Sequence, residues 1–425
     1  MTDVFANVKG KESVLYLHPP KPPINLRMYA GAARASPYWQ LPVGVLGMMN
    51  LLRHHGYRVT GLNVPLEIAI DGRFDLHTWL GGHEDVGLIA IDLHWYEHAF
   101  GALDVARACK QVASEAPVVL GGLTASCYWR EILSEFAEAD FVVRGDGELS
   151  LLQLANYLLR GEGGRLEDIP NICYRADGTV RSNSLDYCAS SEDLDSLDFV
   201  DTSFLVHARQ YHQIQFAGGT EFRVAGSDAP QGHWLCTGRG CRYDCSFCGG
   251  GRRSHHLLTG RKGVVPRSPG KIVRDLSRLE ERGIKQASLS LDPSILGIGY
   301  WSELLSKTRD NGIRIGLNNE CFQLPSDEFL QEYVRACDTS HSQLVFSPLS
   351  GSESVRRRNG KHFTNDQLLA ALSLLRPARI PIAVFFSLNL PGESERAFRD
   401  TLVLANRICD MYPPELLRMS NMVHT

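Results

Sequence analysis

Three cysteines, Cys241, Cys245 and Cys248, fall within eight residues of the stretch GCRYDCSFCGGG (Gly240–Gly251). So short a loop can bring three sulfurs together only around one small object. Structural zinc takes four protein ligands, usually as two close pairs. Here the spacing is C-x3-C-x2-C, and nearby Cys236 belongs to the preceding apolar run HWLCTG. A cubane iron–sulfur cluster is held by thiolates, and three of them leave one iron open to an outside ligand. The glycines that follow, Gly249 and Gly250, permit close backbone approach to whatever the cysteines hold.

The rest of the chain sets the frame. At 425 residues it exceeds one ordinary domain, so two or three are expected. Hydrophobic content of 44% with 22% charged residues is globular composition. A net charge of −4 lacks the basic surplus of a nucleic-acid binder, and no nucleic-acid partner is expected. No apolar run approaches the ~20 residues of a membrane span. The start, MTDVFANVKGKESVLYLHPP, has no apolar signal-peptide core, so a cytoplasmic location is expected. The eleven cysteines are scattered apart from the one group. In a reducing compartment such a group reads as a metal or redox site, not a disulfide framework.

In residues 1–160, short apolar runs alternate with helix-spaced stretches. VLYLHPP, RVTGLNV, VGLIAIDL, PVVLGG and ADFVVRGDGE read as strands, with helices at 41–57 and 102–113. That order predicts an α/β domain, a Rossmann-like doubly wound parallel sheet of about five strands. Ligands of such sheets bind beyond the carboxyl ends of the strands. There Gly121, Gly122, Gly145 and Gly147 would offer backbone contacts, or merely make tight turns. Residues 161–230 read as a connector with a hairpin around Asp177-Gly178, followed by a solvated acidic linker, EDLDSLDF. From 231 to 425, strand and helix alternate again. Strands are read at QASLSLD, IRIGLNNE, QLVFSPLSGS, IAVFFSLNLPGESE and LLRMSNM.

The cysteine spacing, with Phe247 just before the last cysteine, resembles the signature of the radical SAM superfamily. The resemblance implies a partial (β/α)6 barrel over 231–425 and a [4Fe–4S] cluster on Cys241, Cys245 and Cys248. It further implies that the open iron chelates the amino and carboxyl groups of S-adenosylmethionine. An electron from a flavodoxin or ferredoxin then releases a 5′-deoxyadenosyl radical. SLNLPGESE resembles the family's fifth-strand segment along the adenine, placing Leu390 and Pro391 there. Two departures stand out. The second strand has no Gly-Gly-Glu, and Ser290 and Asp292 stand where the methionine amine would be held. The fourth strand ends in PLSGS, with Leu349 in place of a ribose-binding glutamate. Glu320 or Ser350 would take over that contact, or be a strand-end carboxylate and a turn hydroxyl. In GGGRRSHHLLTGRK the arginines, His255 and His256 bind an anionic substrate or an electron donor, or form a solvated basic loop.

Residues 14–160 resemble the cobalamin-binding domain found ahead of many radical SAM enzymes. The match lies in the PP after the first strand, LPVGVLGMMNLLRHHGY, VVLGGLTAS and FVVRGDGELSLLQL. No Asp-x-His-x-x-Gly follows the first strand. The third strand runs into DLHWYEHAFG, where the family has small residues. His94, Trp95, Tyr96 and His98 would crowd a corrin, so a degenerate pocket is expected. His94 and His98 would touch a ligand or pack at an interface.

The leading expectation is therefore a radical that abstracts hydrogen directly from a small metabolite. The substrate would be a sugar, amino sugar or natural-product intermediate, and the outcome deoxygenation (dehydration), epimerisation or rearrangement. His94, His98, Asp292 and Glu320 are the candidate proton donors or acceptors. The alternative is a cobalamin-dependent C-methyltransferase. An RNA methylthiotransferase and a non-catalytic iron–sulfur protein complete the set.

Overall fold

A computed structural model describes residues 5–21, 40–216 and 231–423. The chain divides into two compact units. The first comprises Met1–Asp228 with His256–Arg261, the second Ala229–His255 with Lys262–Thr425.

The first unit is built on one sheet. Strands β1 (Ser13–His18), β2 (Arg58–Asn63), β3 (Val86–Asp92), β4 (Val118–Gly121) and β5 (Phe141–Val143) are parallel, in the order β2-β1-β3-β4-β5. All seven residues of β3 are buried, as a parallel strand covered on both faces requires. Leu15, Leu17, Ile89, Ile91, Val118 and Leu120 form the core with Ala102, Val105 and Ala106 of helix Ala99–Val112.

The segment expected to be a separate connector is part of this unit. Its hairpin, β6 (Ile172–Ala176) and β7 (Thr179–Ser182), turns at Asp177 and Gly178, both at positive φ, and pairs antiparallel with β5. A lone two-stranded hairpin is marginal in water, so it adds to the open sheet edge. Arg175 secures it there by donating to the carbonyls of Leu133, Phe136, Ala137 and Ala139 at 2.6–3.3 Å, at the end of helix Trp129–Glu135. The acidic segment is likewise no solvated linker. Ser190 and Asp193 form a capping box for helix Ser191–Ser196, and Leu194, Phe199 and Val200 are fully buried.

The second unit carries β8 (Gly232–Leu235), then a two-stranded antiparallel ribbon of β9 (Gly238–Arg239) and β10 (Val265–Pro266). There follow β11 (Gln286–Leu289), β12 (Gly316–Cys321), β13 (Gln343–Leu349), β14 (Ile382–Leu388) and β15 (Leu417–Val423). Apart from the ribbon, these six strands are parallel in the order β8-β11-β12-β13-β14-β15. Helices Pro269–Glu281, Ile298–Asp310, Asp327–Ala336, Asn365–Leu375 and Glu395–Met411 make the crossovers, giving the expected (β/α)6 partial barrel. Among the described residues no helix is long and apolar enough to cross a membrane.

Candidate active site

The cysteine loop leaves the carboxyl end of β8 by way of β9. Cys241 and Cys245 are half-buried and Cys248 is exposed; all are free thiols. Backbone N–H groups face two of the sulfurs, Tyr243 toward Cys241 at 3.4 Å and Gly250 toward Cys248 at 3.3 Å. Such donors stabilise sulfur that carries negative charge. Burial pushes the Cys241 and Cys245 thiols up from their ordinary range, and neighbouring sulfurs add to this. Lys361 pulls both the other way. The three sulfurs therefore share one electrostatic neighbourhood. Yet among the described residues no three Cys, His, Asp or Glu groups converge as they would on a single ion. A cubane takes its thiolates at separate corners, on different irons, and so does not ask three of them to meet at one ion.

The loop is braced from the segment after β13. Ser246 bonds to Asn359, whose amide also reaches the carbonyl of Pro391 at 3.1 Å. Gly360 has φ +91°, and a Cβ there would lie 3.0 Å from the Cys245 sulfur. Gln323 holds this turn at both ends, donating to the Gly360 carbonyl at 2.7 Å and accepting from the His362 N–H at 3.0 Å. Gly249 behaves differently, since a Cβ there would meet nothing within 4 Å. Its bare backbone borders open space beside Cys248.

The strand ends supply the other groups. Asp292 is buried and accepts from the backbone of Ser294 (3.0 Å) and Phe322 (2.8 Å) and from Asn319 (3.3 Å). Burial raises its pKa against those donors. Its lone pairs are committed to joining the ends of β11 and β12. Ser290 is committed too, accepting from the Thr237 N–H at 3.0 Å and donating to the Gly238 carbonyl at 3.3 Å. Ser350 is fully buried, 3.2 Å from Thr401 on helix Glu395–Met411, and caps the N–H of Ser352. Glu320 differs from these three. It is open to solvent at the end of β12 though crowded by protein, and burial raises its pKa, opposed by Lys361 and reinforced by Asp292.

Lys361 escaped the sequence analysis because RRRNGKH offers several cations and no periodicity to select one. Its ammonium donates to the Phe322 carbonyl at 2.6 Å, and its charge acts on Cys241, Cys245 and Glu320 together. Leu349, Val355, Leu390 and Ala397 form a small apolar cluster on which Phe247 packs. Leu349 (φ +66°) and Asn389 (φ +65°) both adopt left-handed backbone at the ends of β13 and β14. Such strain, of order 1–3 kcal/mol each, gathers at functional sites, and no motif of the sequence marks it.

In the first unit, His98 packs at the carboxyl end of β1, its ring 5.1 Å from that of His18. It is buried, bonds the Pro19 carbonyl through Nδ1 at 2.9 Å, and burial lowers its pKa. Tyr96 is 69% exposed and Phe100 75%, which leaves aromatic surface uncovered. The His94 carbonyl accepts from the N–H and hydroxyl of Thr124 at 3.3 and 3.0 Å. Gly122, at φ +111°, lets its turn pack on the His94 backbone. A Cβ at Gly121 would meet only the Val143 carbonyl, at 3.7 Å. The turns thus keep room beside Gly121 that a ligand could use. Beneath them Asp92 accepts from Tyr16 (2.6 Å) and pairs with His18 (2.9 Å), all three buried.

Two family models match the chain, the radical SAM superfamily over residues 235–405 and the B12 binding domain over 32–155. The anaerobic magnesium-protoporphyrin IX monomethyl ester cyclase of Cereibacter sphaeroides is 21% identical over 317 residues, 72% of this chain and 47% of that protein. An uncharacterized methyltransferase of Pyrococcus horikoshii is 23% identical over 325 residues, 76% of this chain and 64% of that protein. The chain thus spans between about half and two thirds of these relatives. The fold is similar to that of the radical S-adenosylmethionine methyltransferase TsrM from Kitasatospora setae, solved with cobalamin and a [4Fe–4S] cluster. The TM-score is 0.70 at 16% identity, over 97% of this chain and 75% of that one. With a three-thiol loop at the carboxyl end of a parallel barrel strand and both family models in this order, the chain carries a radical SAM domain with a B12-binding domain ahead of it.

Proposed function

We propose that this protein is a cobalamin-dependent radical SAM enzyme of the methyltransferase type, acting on a small molecule and reduced by a flavodoxin- or ferredoxin-like carrier. The observation that carries this reading is the first unit's strand-end surface. Of the residues expected to crowd it, Tyr96 turns to solvent, and a Cβ at Gly121 would meet only the Val143 carbonyl, at 3.7 Å, so the turn leaves room for a ligand. The comparisons favour this alternative over direct hydrogen abstraction from a sugar-like metabolite.

When bound, the cluster and S-adenosylmethionine supply radical or methyl-donor chemistry, and the corrin supplies a methyl carrier. The chain's own residues hold and orient. Cys241, Cys245 and Cys248 provide the thiolates, with the Tyr243 and Gly250 N–H groups spreading their charge. Lys361 offers an ammonium to a ligand carboxylate and Glu320 an acceptor to ribose hydroxyls. Phe247, Leu349 and Leu390 give an apolar wall for a purine. Gly121, Gly122 and His94 border the corrin site. Asp292, Ser290 and Ser350 act as supports, because their polar atoms are already bonded within the protein.

The test is anaerobic reconstitution with iron and sulfide, incubation with hydroxocobalamin, and desalting. Corrin absorbance is then read against iron content. Stoichiometric corrin, with a labelled methyl group passing from S-adenosylmethionine to the corrin, is the expected result. No retained corrin, with 5′-deoxyadenosine still formed on reduction, would return direct hydrogen abstraction to first place.

A further inference from the structure

Residues His256–Arg261 group with the first unit although the chain on either side belongs to the second. The short segment is held by a dense set of contacts. Gly145, at φ +66°, allows Thr259 so close that a Cβ would stand 3.1 Å from its Cα. The Cys188 thiol donates to the Thr259 carbonyl at 3.3 Å. Gly260, at φ +74°, lies so near Leu185 that a Cβ would come 3.0 Å from its carbonyl. Arg261 then forms an ion pair with Asp146 and donates to the Ala189 carbonyl at 3.2 Å. Asp146 also accepts from the Ala189 N–H at 2.8 Å, and its own carbonyl accepts from Asn171 at 3.1 Å. Arg261 and Asp146 are 3% and 7% exposed. Among the described residues, Nη1 of Arg261 meets no acceptor.

Two features make this more than packing. A buried ion pair is poor value as stabilisation, since apolar groups often do as well, but it fixes one register strongly, because either partner left alone is a buried charge. In addition, Asp146 sits in the Gly145–Asp146–Gly147 turn directly after β5, at the carboxyl edge of the sheet, where ligands of such folds bind. Arg261 lies only thirteen positions beyond Cys248.

We infer that the Arg261–Asp146 pair is a latch by which the B12-binding unit holds the chain leaving the cluster cysteines. Arg261 is thus a positioning residue. Resting on the cobalamin reading above, the latch links a corrinoid seated at the strand ends to the order of residues 249–261. The linkage is reciprocal, so whatever orders that segment tightens corrin binding by the same factor.

The experiment is hydrogen–deuterium exchange on cluster-loaded protein with and without hydroxocobalamin, retained corrin being read by absorbance in the same samples. Arg261→Met, Asp146→Asn and Arg261→Lys are compared with the parent. Corrin should slow exchange in residues 249–261 of the parent several-fold. The Met and Asn variants should exchange there at least tenfold faster, lose the corrin dependence, and leave β1 and β3 unchanged. Arg261→Lys should fall between. The electron paramagnetic resonance spectrum of the reduced cluster should shift in the Met variant. Unchanged exchange at 249–255 in Arg261→Met, or full corrin protection in both variants, overturns the latch. If the parent retains no corrin, the cobalamin reading fails by itself. The corrin-free comparison at 249–255 then still decides the latch. Should Arg261→Met not fold, Gly145→Ala loosens the same contact from the other side and is scored identically.

Discussion

The ammonium of Lys361 donates to the carbonyl of Phe322 at 2.6 Å, which pins a cation between the end of β12 and the cysteine loop. From there it opposes the rise in the thiol pKa values of Cys241 and Cys245 and in that of Glu320. The fold thus sets positive charge beside the sulfurs, where a negatively charged ligand on an open iron would need it.

Replacing Lys361 by Met should keep the cluster but weaken S-adenosylmethionine binding. A hydrogen bond to a charged group contributes about 1.5–3 kcal/mol, or roughly ten- to a hundredfold in Kd. Titration of the reduced cluster by electron paramagnetic resonance measures this. Unchanged affinity would remove Lys361 from the binding site.

Cys245→Ala should abolish both the iron–sulfur absorbance and cleavage of S-adenosylmethionine. Gly360→Val should lower iron content nearly as far without touching a ligand. A side chain there is strained at φ +91° and meets the Cys245 sulfur at 3.0 Å. Iron and sulfide analysis reads the cluster, and thermal unfolding of the cluster-free variants beside the parent separates its loss from a loss of fold. A Gly360→Val protein with full iron would show that the turn can yield.

Much of this was legible because the physics was local. Short apolar runs alternating with helix-spaced stretches marked β1 to β5 and β11 to β14, and three thiols in eight residues marked the loop. What was not legible came from distant partners. The hairpin looked free-standing because its neighbour, β5, lies some thirty residues earlier. Ser350 looked like a ligand contact until Thr401, fifty residues on, captured it. Asp292 looked like a reactive carboxylate, yet Phe322 and Ser294 use its lone pairs. For Ser350 and Asp292 the residue type was plain from the sequence. Their commitment depended on tertiary pairing that no short motif encodes.

The buried Tyr16–Asp92–His18 group makes an acid-stability prediction. Burial alone would raise the Asp92 pKa, but His18 and Tyr16 reverse this, so it falls below the ordinary value. A depressed carboxylate contributes stability that is present above its unfolded pKa of about 4 and lost as pH falls through the folded value. Asp92→Asn should destabilise the first unit at pH 7 by about 1–3 kcal/mol, since it weakens the buried hydrogen bonds to Tyr16 and His18. It should also flatten the loss on acidification. Amide exchange of β1 and β3 across pH 3–7 reads both. A variant with the parent's acid profile would place the acid sensitivity elsewhere.

Glu320 carries the opposite sign. Its pKa is raised, by burial first and by Asp292, so the folded protein binds this proton more tightly than the unfolded chain. The contribution to stability is complete below the unfolded value of about 4.3 and is lost as pH rises through the folded value. Above that folded value the ionised carboxylate costs the folded protein stability. Glu320→Gln keeps the shape and removes the charge, so it should raise the melting temperature at pH 7–8 and leave it nearly unchanged at pH 4. The same variant should bind S-adenosylmethionine more weakly, because an amide is a poorer acceptor for ribose hydroxyls than a carboxylate. Thermal unfolding of the cluster-free protein at the two pH values, beside a binding titration of the loaded protein, separates these effects. Higher stability with unchanged affinity would leave Glu320 a strand-end carboxylate, and lower stability at pH 8 would mean that Lys361 already compensates its charge.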